Sequence, residues 1–413
     1  MKFHVRNLGC KVNRVESDSI AAALISQGAA ASSEEDADLV IVNTCTVTGE
    51  AEKKARKAVR HALGANPDAE VLVTGCAAAI DPQAFEAMGE RVRVVGKGEL
   101  LNEIESAEVN SAGFDEVLPV GEGFRTRVGV KVQDGCDRAC SYCIVHVARG
   151  PEWSRPADEV LCECRRLARA GVKEIVLTGI NLGSYRDGAR GEPGATTLVP
   201  LLERLLAETE DLHAPGEPPL RFRISSIEPR DVGGDLIKLL AASEGRICRH
   251  LHLPLQSGSD KVLREMARPY DSAAYLALVD ELRVSVPQIS LSTDLIVGFP
   301  GETEEDFRDT LGLARRCGFS RLHVFPYSRR EGTPAAARTD QVPPELKARR
   351  AGELRSLGEE LRAADYDRRV GERELVLVED TGLATTESYH EVAAPQGAAP
   401  GALLPLVLPP RGA

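Results

Sequence analysis

The chain predicts an α/β fold in three parts: an N-terminal open parallel-sheet domain, a central partial (β/α)6 barrel and a short C-terminal β module. Three patterns predict it. Apolar runs alternate with helical stretches over the first hundred residues. The same alternation restarts at Arg127 and continues for six units. After Glu372 helical signals give way to β-like runs.

In the first part, residues 1–105, Phe3 to Leu8 alternates as a strand does, and Asp38 to Asn43 and Glu70 to Thr74 are short apolar runs of the buried parallel kind. The stretch Glu50 to Leu63 is helical. Residues 106–125 lack a period, carry glycines and read as a linker. In the second part, residues 126–345, strands are expected at Val128–Val132, Glu174–Thr178, Phe222–Ser226, His250–Leu255, Ser290–Ile296 and Arg321–Phe325. Helices such as Ala157–Ala170 and Glu304–Cys317 fall between them. Such a barrel carries its site at the carboxyl ends of its strands. Residues 346–370 form a charged connecting helix opened by Pro343-Pro344. The β module occupies residues 371–413, with a strand at Glu374–Val378 and an Ala, Pro and Gly stretch from Ala393 to Gly401.

The 413 residues, 28% charged and 43% apolar, describe an ordinary globular chain, and no run of eighteen apolar residues suggests a membrane span. The start Met1-Lys2-Phe3-His4 runs directly into a strand pattern with no signal-peptide core. Ten cysteines in that context point to a reducing cytoplasm, and to metal or redox chemistry over disulfides. The net charge of -12 disfavours a large nucleic-acid surface and leaves room for a local basic patch.

Chemistry concentrates in two cysteine triads. Cys136, Cys140 and Cys143 lie in a C-x3-C-x2-C loop. Three thiolates there can ligate three irons of a cubane cluster and leave the fourth open to a chelating molecule. The alternative is a zinc knuckle with His146 as fourth ligand. Cys10, Cys45 and Cys76 each follow one of the first three strand signals, so three thiols can converge at carboxyl strand ends, where open α/β sheets collect ligands. The alternative is three core cysteines. Cys162 and Cys164 face different ways on one helix, Cys317 sits near a helix end, and Cys248 precedes His250 and His252, which share a strand face.

The loop resembles that of radical S-adenosylmethionine enzymes. Leu8-Gly9-Cys10-Lys11-Val12-Asn13, Asn43-Thr44-Cys45-Thr46-Val47-Thr48 and Gly75-Cys76 resemble the methylthiotransferases in particular. So do Leu253 to Ser259, Asp294 to Glu302 and Phe325 to Pro334. Within that family the Lys11-Val12-Asn13 string resembles the branch acting on N6-threonylcarbamoyladenosine in tRNA. The isopentenyladenosine branch usually has Gln-Met-Asn there, and a third branch acts on a ribosomal-protein aspartate. The resemblance implies two 4Fe–4S clusters, one per triad, and a C-terminal RNA-binding module of the TRAM type. It further implies that the Cys136/Cys140/Cys143 cluster binds S-adenosylmethionine and generates a 5′-deoxyadenosyl radical, while the Cys10/Cys45/Cys76 cluster holds and delivers sulfur. Partners would then be tRNA, a reducing electron donor and a sulfur source. A non-catalytic electron-transfer or RNA-binding scaffold is the reading from another class.

Residues at successive barrel strand ends are the candidate S-adenosylmethionine contacts: Gly179 and Asn181, Ser226 and Glu228, Gln256 and Ser257, and Gly298 with Glu302. For tRNA the candidates are Lys53, Lys54, Arg56, Lys57 and Arg60, then Lys347, Arg349 and Arg350, with Trp153 as a possible base stack. Arg329 and Arg330, after the last barrel strand, are the candidates for the substrate itself. Two departures stand out. His146 occupies a position that is usually proline in the family. Glu372, Glu374, Glu379 and Asp380 make the tail acidic, which is expected to weaken it as an RNA clamp, while Tyr389 and His390 sit where the family often has an aromatic-rich strand.

Overall fold

The computed structural model describes residues 1–96, 98–100, 126–189, 192, 194–213 and 215–412. The expected linker at 106–125 lies outside them. Contacts divide the chain into two units: 1–125 with 135–138 and 143–151, and the remainder.

The first unit is built on five parallel strands, β1 (Lys2–Asn7), β2 (Ala30–Ala31), β3 (Leu39–Thr44), β4 (Glu70–Gly75) and β5 (Val92–Val94), in the order β2-β1-β3-β4-β5. The sequence pattern finds β1, β3 and β4; β2 and β5 are too short to carry a period. Val40, Ile41 and Val42 lie beside Val71, Leu72 and Val73 in register and are almost wholly excluded from water, as unbroken apolar runs covered on both faces should be. Helix Gly49–Ala65 turns Ala55, Ala58, Val59 and Ala62 onto this core at helical spacing. Thr48 caps it, its hydroxyl accepting from the Ala51 amide at 3.1 Å. On the other side helix Lys11–Ser26 contributes Ile20, Ala23 and Leu24.

The second unit carries six parallel strands: β6 (Val128–Lys131), β9 (Glu174–Thr178), β12 (Arg221–Ile224), β13 (His250–His252), β14 (Ser290–Val297) and β15 (Arg321–Pro326). The short antiparallel pairs β7 (Gln133–Asp134) with β8 (Trp153–Ser154), and β10 (Arg186–Asp187) with β11 (Thr196–Thr197), lie off this series. The six run in sequence order as two three-stranded sheets, joined by parallel bridges Phe222–Ile247 and Ser226–His252. Helices Ala157–Arg169, Leu198–Glu208, Gly234–Ala242, Ser272–Ser285 and Glu304–Cys317 make the crossovers. The last is bounded by a Thr303/Asp306 capping box and by Gly318 in the left-handed conformation.

After helix Pro344–Asp367 comes an antiparallel sheet of β16 (Arg373–Val378), β17 (Leu383–Thr386), β18 (Glu391–Ala393) and β19 (Leu403–Val407), ordered β18-β17-β16-β19. Pro405 is tolerated because β19 is an edge strand. A buried ionic knot ties this sheet to the barrel strands. Arg221 and Arg223 both donate from Nε to Glu174, at 2.7 Å each, and their remaining nitrogens donate to the carbonyls of Leu375, Thr385, Thr386 and Glu387. Burial alone would push Glu174 up; Arg223 and Arg221 overcome it and hold the carboxyl well below the usual carboxylate range.

The expected acidic tail is corrected here. Glu374 is 1% exposed and accepts from Ser388, so one of the four acids is internal, while half-buried Glu379 pairs with Arg127. Tyr389 lies in the turn between β17 and β18, at a φ of 69°, with the Arg223 guanidinium 4.7 Å from its ring centre. His390 Nε2 donates to the Asp365 carboxylate at 2.8 Å and is likewise buried. Among the described residues no helix is long and apolar enough to cross a membrane.

Candidate functional site

Strands β1, β3 and β4 are neighbours, so chain leaving their carboxyl ends leaves from one edge. Cys45 follows β3 directly, and Cys76, following β4, opens helix Cys76–Ile80. Cys10 stands three residues past β1 as the N-cap of helix Lys11–Ser26. Cys45 and Cys76 are buried, Cys10 is exposed. The three thiols feel one another. Burial pushes Cys45 up and nearby Cys10 and Cys76 add to it. The Cys10 thiol is raised as well, by the protein atoms packed round its sulfur although the residue as a whole is exposed, with Arg149 opposing.

The backbone there is tightly drawn. Gly75 adopts a φ of 95°, and a Cβ on it would stand 2.4 Å from the Thr44 carbonyl oxygen. Asn43 and Asn13 brace the same ends. Asn13 Nδ2 donates to Asn43 Oδ1 at 2.9 Å and to the Thr44 carbonyl at 2.8 Å, and Asn43 Nδ2 donates to the Asn13 carbonyl and to Ser17 Oγ. Three thiols past neighbouring strand ends, close enough to act on one another electrostatically, offer the soft donor type of an iron–sulfur cluster. Among the described residues no group of three His, Cys, Asp or Glu is gathered for a single metal ion.

The C-x3-C-x2-C loop is irregular, and all three of its cysteines are half-buried. The Cys136 amide donates to the Gly150 carbonyl at 3.2 Å, and the Val145 amide donates to Cys143 Sγ at 3.4 Å. Arg268 Nη1 donates to Cys140 Sγ at 3.4 Å, and Ser141 is held by the Met266 and Glu265 carbonyls. His146, the zinc alternative's fourth ligand, is exposed.

At the barrel strand ends, Gly179 passes close to Gln133, whose Oε1 would lie 2.9 Å from an added Cβ and accepts the Asn181 amide at 2.8 Å. Asn181 Oδ1 is buried without a hydrogen-bond partner among the described residues, as is Ser225 Oγ, next to half-buried Ser226. Gln256 holds a φ of 72°, a costly conformation for a residue with a side chain, and is fixed by backbone bonds with Asp294 and Ile296. These are features of a polar ligand site. The other candidates have protein partners. Glu228 pairs with Arg268, Ser257 is buried against Thr310, and Glu302 is taken by the Gly298 amide and Arg350. Burial raises Glu302.

Of the basic groups, Lys53, Lys54, Lys57 and Arg60 are exposed along helix Gly49–Ala65, while Arg56 pairs with Glu52 and Asp81. Lys347 lies over the Tyr327 ring, Arg349 pairs with Glu304 and Glu353, and Arg350 is buried. Arg329 is exposed and Arg330 is 8% exposed. Trp153 is 48% exposed beside Lys131. Sequence reasoning missed Arg149, Glu16, Asn13, Gln133 and Arg268. Gln133, Asn13, Glu16 and Arg149 stand within six residues of a triad cysteine, and Arg268 does not, but no local pattern marks any of them as buried and paired.

A six-strand open barrel with a three-cysteine loop, preceded by an α/β sheet with three cysteines past its strand ends, has the architecture of a radical S-adenosylmethionine enzyme. Residues 130–314 match the Radical SAM superfamily, and residues 2–96 match the uncharacterized protein family UPF0004. Threonylcarbamoyladenosine tRNA methylthiotransferase MtaB of Bacillus subtilis (strain 168) is 36% identical over 94% of this chain and 86% of its own. That of Chlamydia pneumoniae is 37% identical over 93% and 88%. tRNA-2-methylthio-N(6)-dimethylallyladenosine synthase of Carboxydothermus hydrogenoformans is 37% identical over 85% and 82%. Among solved structures, the radical S-adenosylmethionine methyltransferase TsrM of Kitasatospora setae, with cobalamin and a 4Fe–4S cluster bound, shares the fold at a TM-score of 0.55 and 17% identity, over 81% of this chain and 77% of that one. The chain belongs to the tRNA methylthiotransferase family, whose members use S-adenosylmethionine and two 4Fe–4S clusters.

Proposed function

We propose that the protein converts N6-threonylcarbamoyladenosine beside the tRNA anticodon to its 2-methylthio derivative, in the cytoplasm, with a reducing electron donor and a sulfur source as partners. The observation that carries this is the pair of triads, one at the ends of β1, β3 and β4 and one in the C-x3-C-x2-C loop, in a chain that spans 86% of a relative bearing that name. Identity does not separate the threonylcarbamoyl from the dimethylallyl relatives, at 36% and 37%. Lys11 and Val12, within Gly9-Cys10-Lys11-Val12-Asn13, favour the former.

In this reading Cys136, Cys140 and Cys143 hold the cluster that engages S-adenosylmethionine, and Cys10, Cys45 and Cys76 hold the one that carries sulfur. When bound, these groups supply the one-electron chemistry that an unactivated adenine carbon requires and that no side-chain acid or base can provide. The protein's own residues bind and orient. Asn181 Oδ1, buried and unpartnered, accepts from the methionine ammonium, with Gly179 giving the backbone room. Ser226 and Glu228 face the ribose, Glu228 being fixed by Arg268. Gln256 is held in a strained, single orientation toward the cofactor, while Ser257, Gly298 and Glu302 shape the turns around it. Exposed Arg329, more accessible than Arg330, offers the threonylcarbamoyl carboxylate a charge-assisted contact that an isopentenyl chain cannot use.

The test is purified, reconstituted enzyme on tRNAs bearing each modified adenosine. The threonylcarbamoyl substrate should be preferred. Arg329→Ala should cut that preference by roughly ten- to a hundredfold, about 1.5–3 kcal/mol. A preference for the isopentenyl substrate would refute the assignment.

A further inference from the structure

Cys10 is held differently from its two partners. Cys45 and Cys76 are fixed by the ends of buried strands, whereas Cys10 sits at an exposed helix start that no side chain caps. Its Sγ lies 3.4 Å from Asn13 Oδ1. The same oxygen accepts from Arg149 Nη2 at 2.8 Å, and Arg149 Nη1 reaches Glu16 Oε1 at 3.0 Å. The Arg149 side chain is 1% exposed and Glu16's is 10%. Arg149 closes the short helix Val145–Arg149, six residues after Cys143.

A buried guanidinium costs several kcal/mol unless negative charge compensates it. Glu16 supplies one such charge, and three thiolates on a cluster would supply more on the same side. Cluster potentials follow local charge and the hydrogen bonds reaching the sulfurs.

We propose that Arg149 tunes the Cys10/Cys45/Cys76 cluster: held beside Cys10 by Asn13 and Glu16, its charge raises the reduction potential of the cluster they bind. This rests on the reading that the first triad holds a cluster. The chain behind the C-x3-C-x2-C loop thereby supplies the cation of the other triad.

The test uses full-length protein in which Cys136, Cys140 and Cys143 are alanine, so that one cluster is read. Iron content and an EPR-monitored redox titration are compared for that parent and for Arg149→Gln, Arg149→Lys and Glu16→Gln. Arg149→Gln should shift the midpoint potential down and Arg149→Lys should restore part of the shift. Glu16→Gln, which keeps the cation and removes its compensating charge, should shift it up, and keeps the proposal open to refutation if Arg149→Gln fails to fold. A retained cluster whose potential moves in none of these variants, or moves down in Glu16→Gln, overturns the role of Arg149 and leaves the cluster reading standing. A parent that binds no iron overturns both.

Discussion

Cys45 and Cys76 are 5% and 4% exposed, each at the end of a strand whose interior is closed to water, whereas Cys136, Cys140 and Cys143 stand half-buried on an irregular loop of eight residues. The first triad is an achievement of the sheet. Its members are far apart in sequence and are brought to one edge because β1, β3 and β4 are parallel neighbours in register. The loop triad is set by local spacing and needs the fold mainly for anchorage, through the Gly150 carbonyl, Ser141 and Arg268.

The largest effect should come from emptying either site. With Cys136, Cys140 and Cys143 changed to alanine, the protein should keep about half its iron and lose cleavage of S-adenosylmethionine altogether. With Cys10, Cys45 and Cys76 changed, methylthiolated product should vanish while 5′-deoxyadenosine is still released. Chromatography of reaction mixtures, beside an iron assay, reads both. If cleavage disappears as fully in the second variant as in the first, the two triads do not divide the work.

A glycine pair sharpens the contrast. Gly75→Ala must adopt a positive φ and drive Cβ against backbone, which should cost about 3 kcal/mol and strip iron from the first triad. Gly179→Ala meets only the Gln133 side chain first, at 2.9 Å, and should cost about 1 kcal/mol while sparing iron and weakening S-adenosylmethionine binding. Equal iron loss in both would erase the distinction between a sheet-built and a loop-built site.

Asn43→Ala should destabilise the first unit by about 2 kcal/mol, because Asn13 loses a buried partner at 2.9 Å. Denaturant melts followed by cluster absorbance, in proteins retaining one triad each, should show the shift only where the first triad is intact. The smallest effect on either cluster should come from changing Lys53, Lys54, Lys57 and Arg60 together to alanine. Iron and cleavage should hold, while tRNA affinity falls about tenfold and the slope of log Kd against log salt drops by roughly 3. An unchanged slope would move the phosphate contacts elsewhere.

The barrel strands, and the placement of Cys45 and Cys76 directly after β3 and β4, were legible because each leaves a local mark: an apolar run of five or six residues, or a cysteine at its end. β2 and β5 left none, being two and three residues long and specified by pairing alone. β19 was hidden because Pro405 reads as a breaker until the strand is known to lie at an edge. The acidity of Glu374 and Glu379 was visible, but not that the first is buried and the second paired with Arg127, since charge in a sequence carries no direction. Arg149, Asn13 and Glu16 were invisible for a related reason: three polar residues become one network only once residue 149 is brought beside residues 13 and 16.

The Glu174–Arg221–Arg223 knot bears on how the C-terminal sheet can be studied. Four carbonyls of that sheet and of the turn after β17 are the acceptors for two wholly buried guanidiniums on β12. Cutting the chain before Glu372 would not detach an appendage. It would leave β12 with paired cations stripped of four oxygens and facing water or each other. A shortened protein that no longer modifies tRNA would therefore report on the integrity of the barrel as much as on any contact with RNA. Point changes on the sheet's outer face, at Leu383 or Val407, are the cleaner probe of what that surface touches.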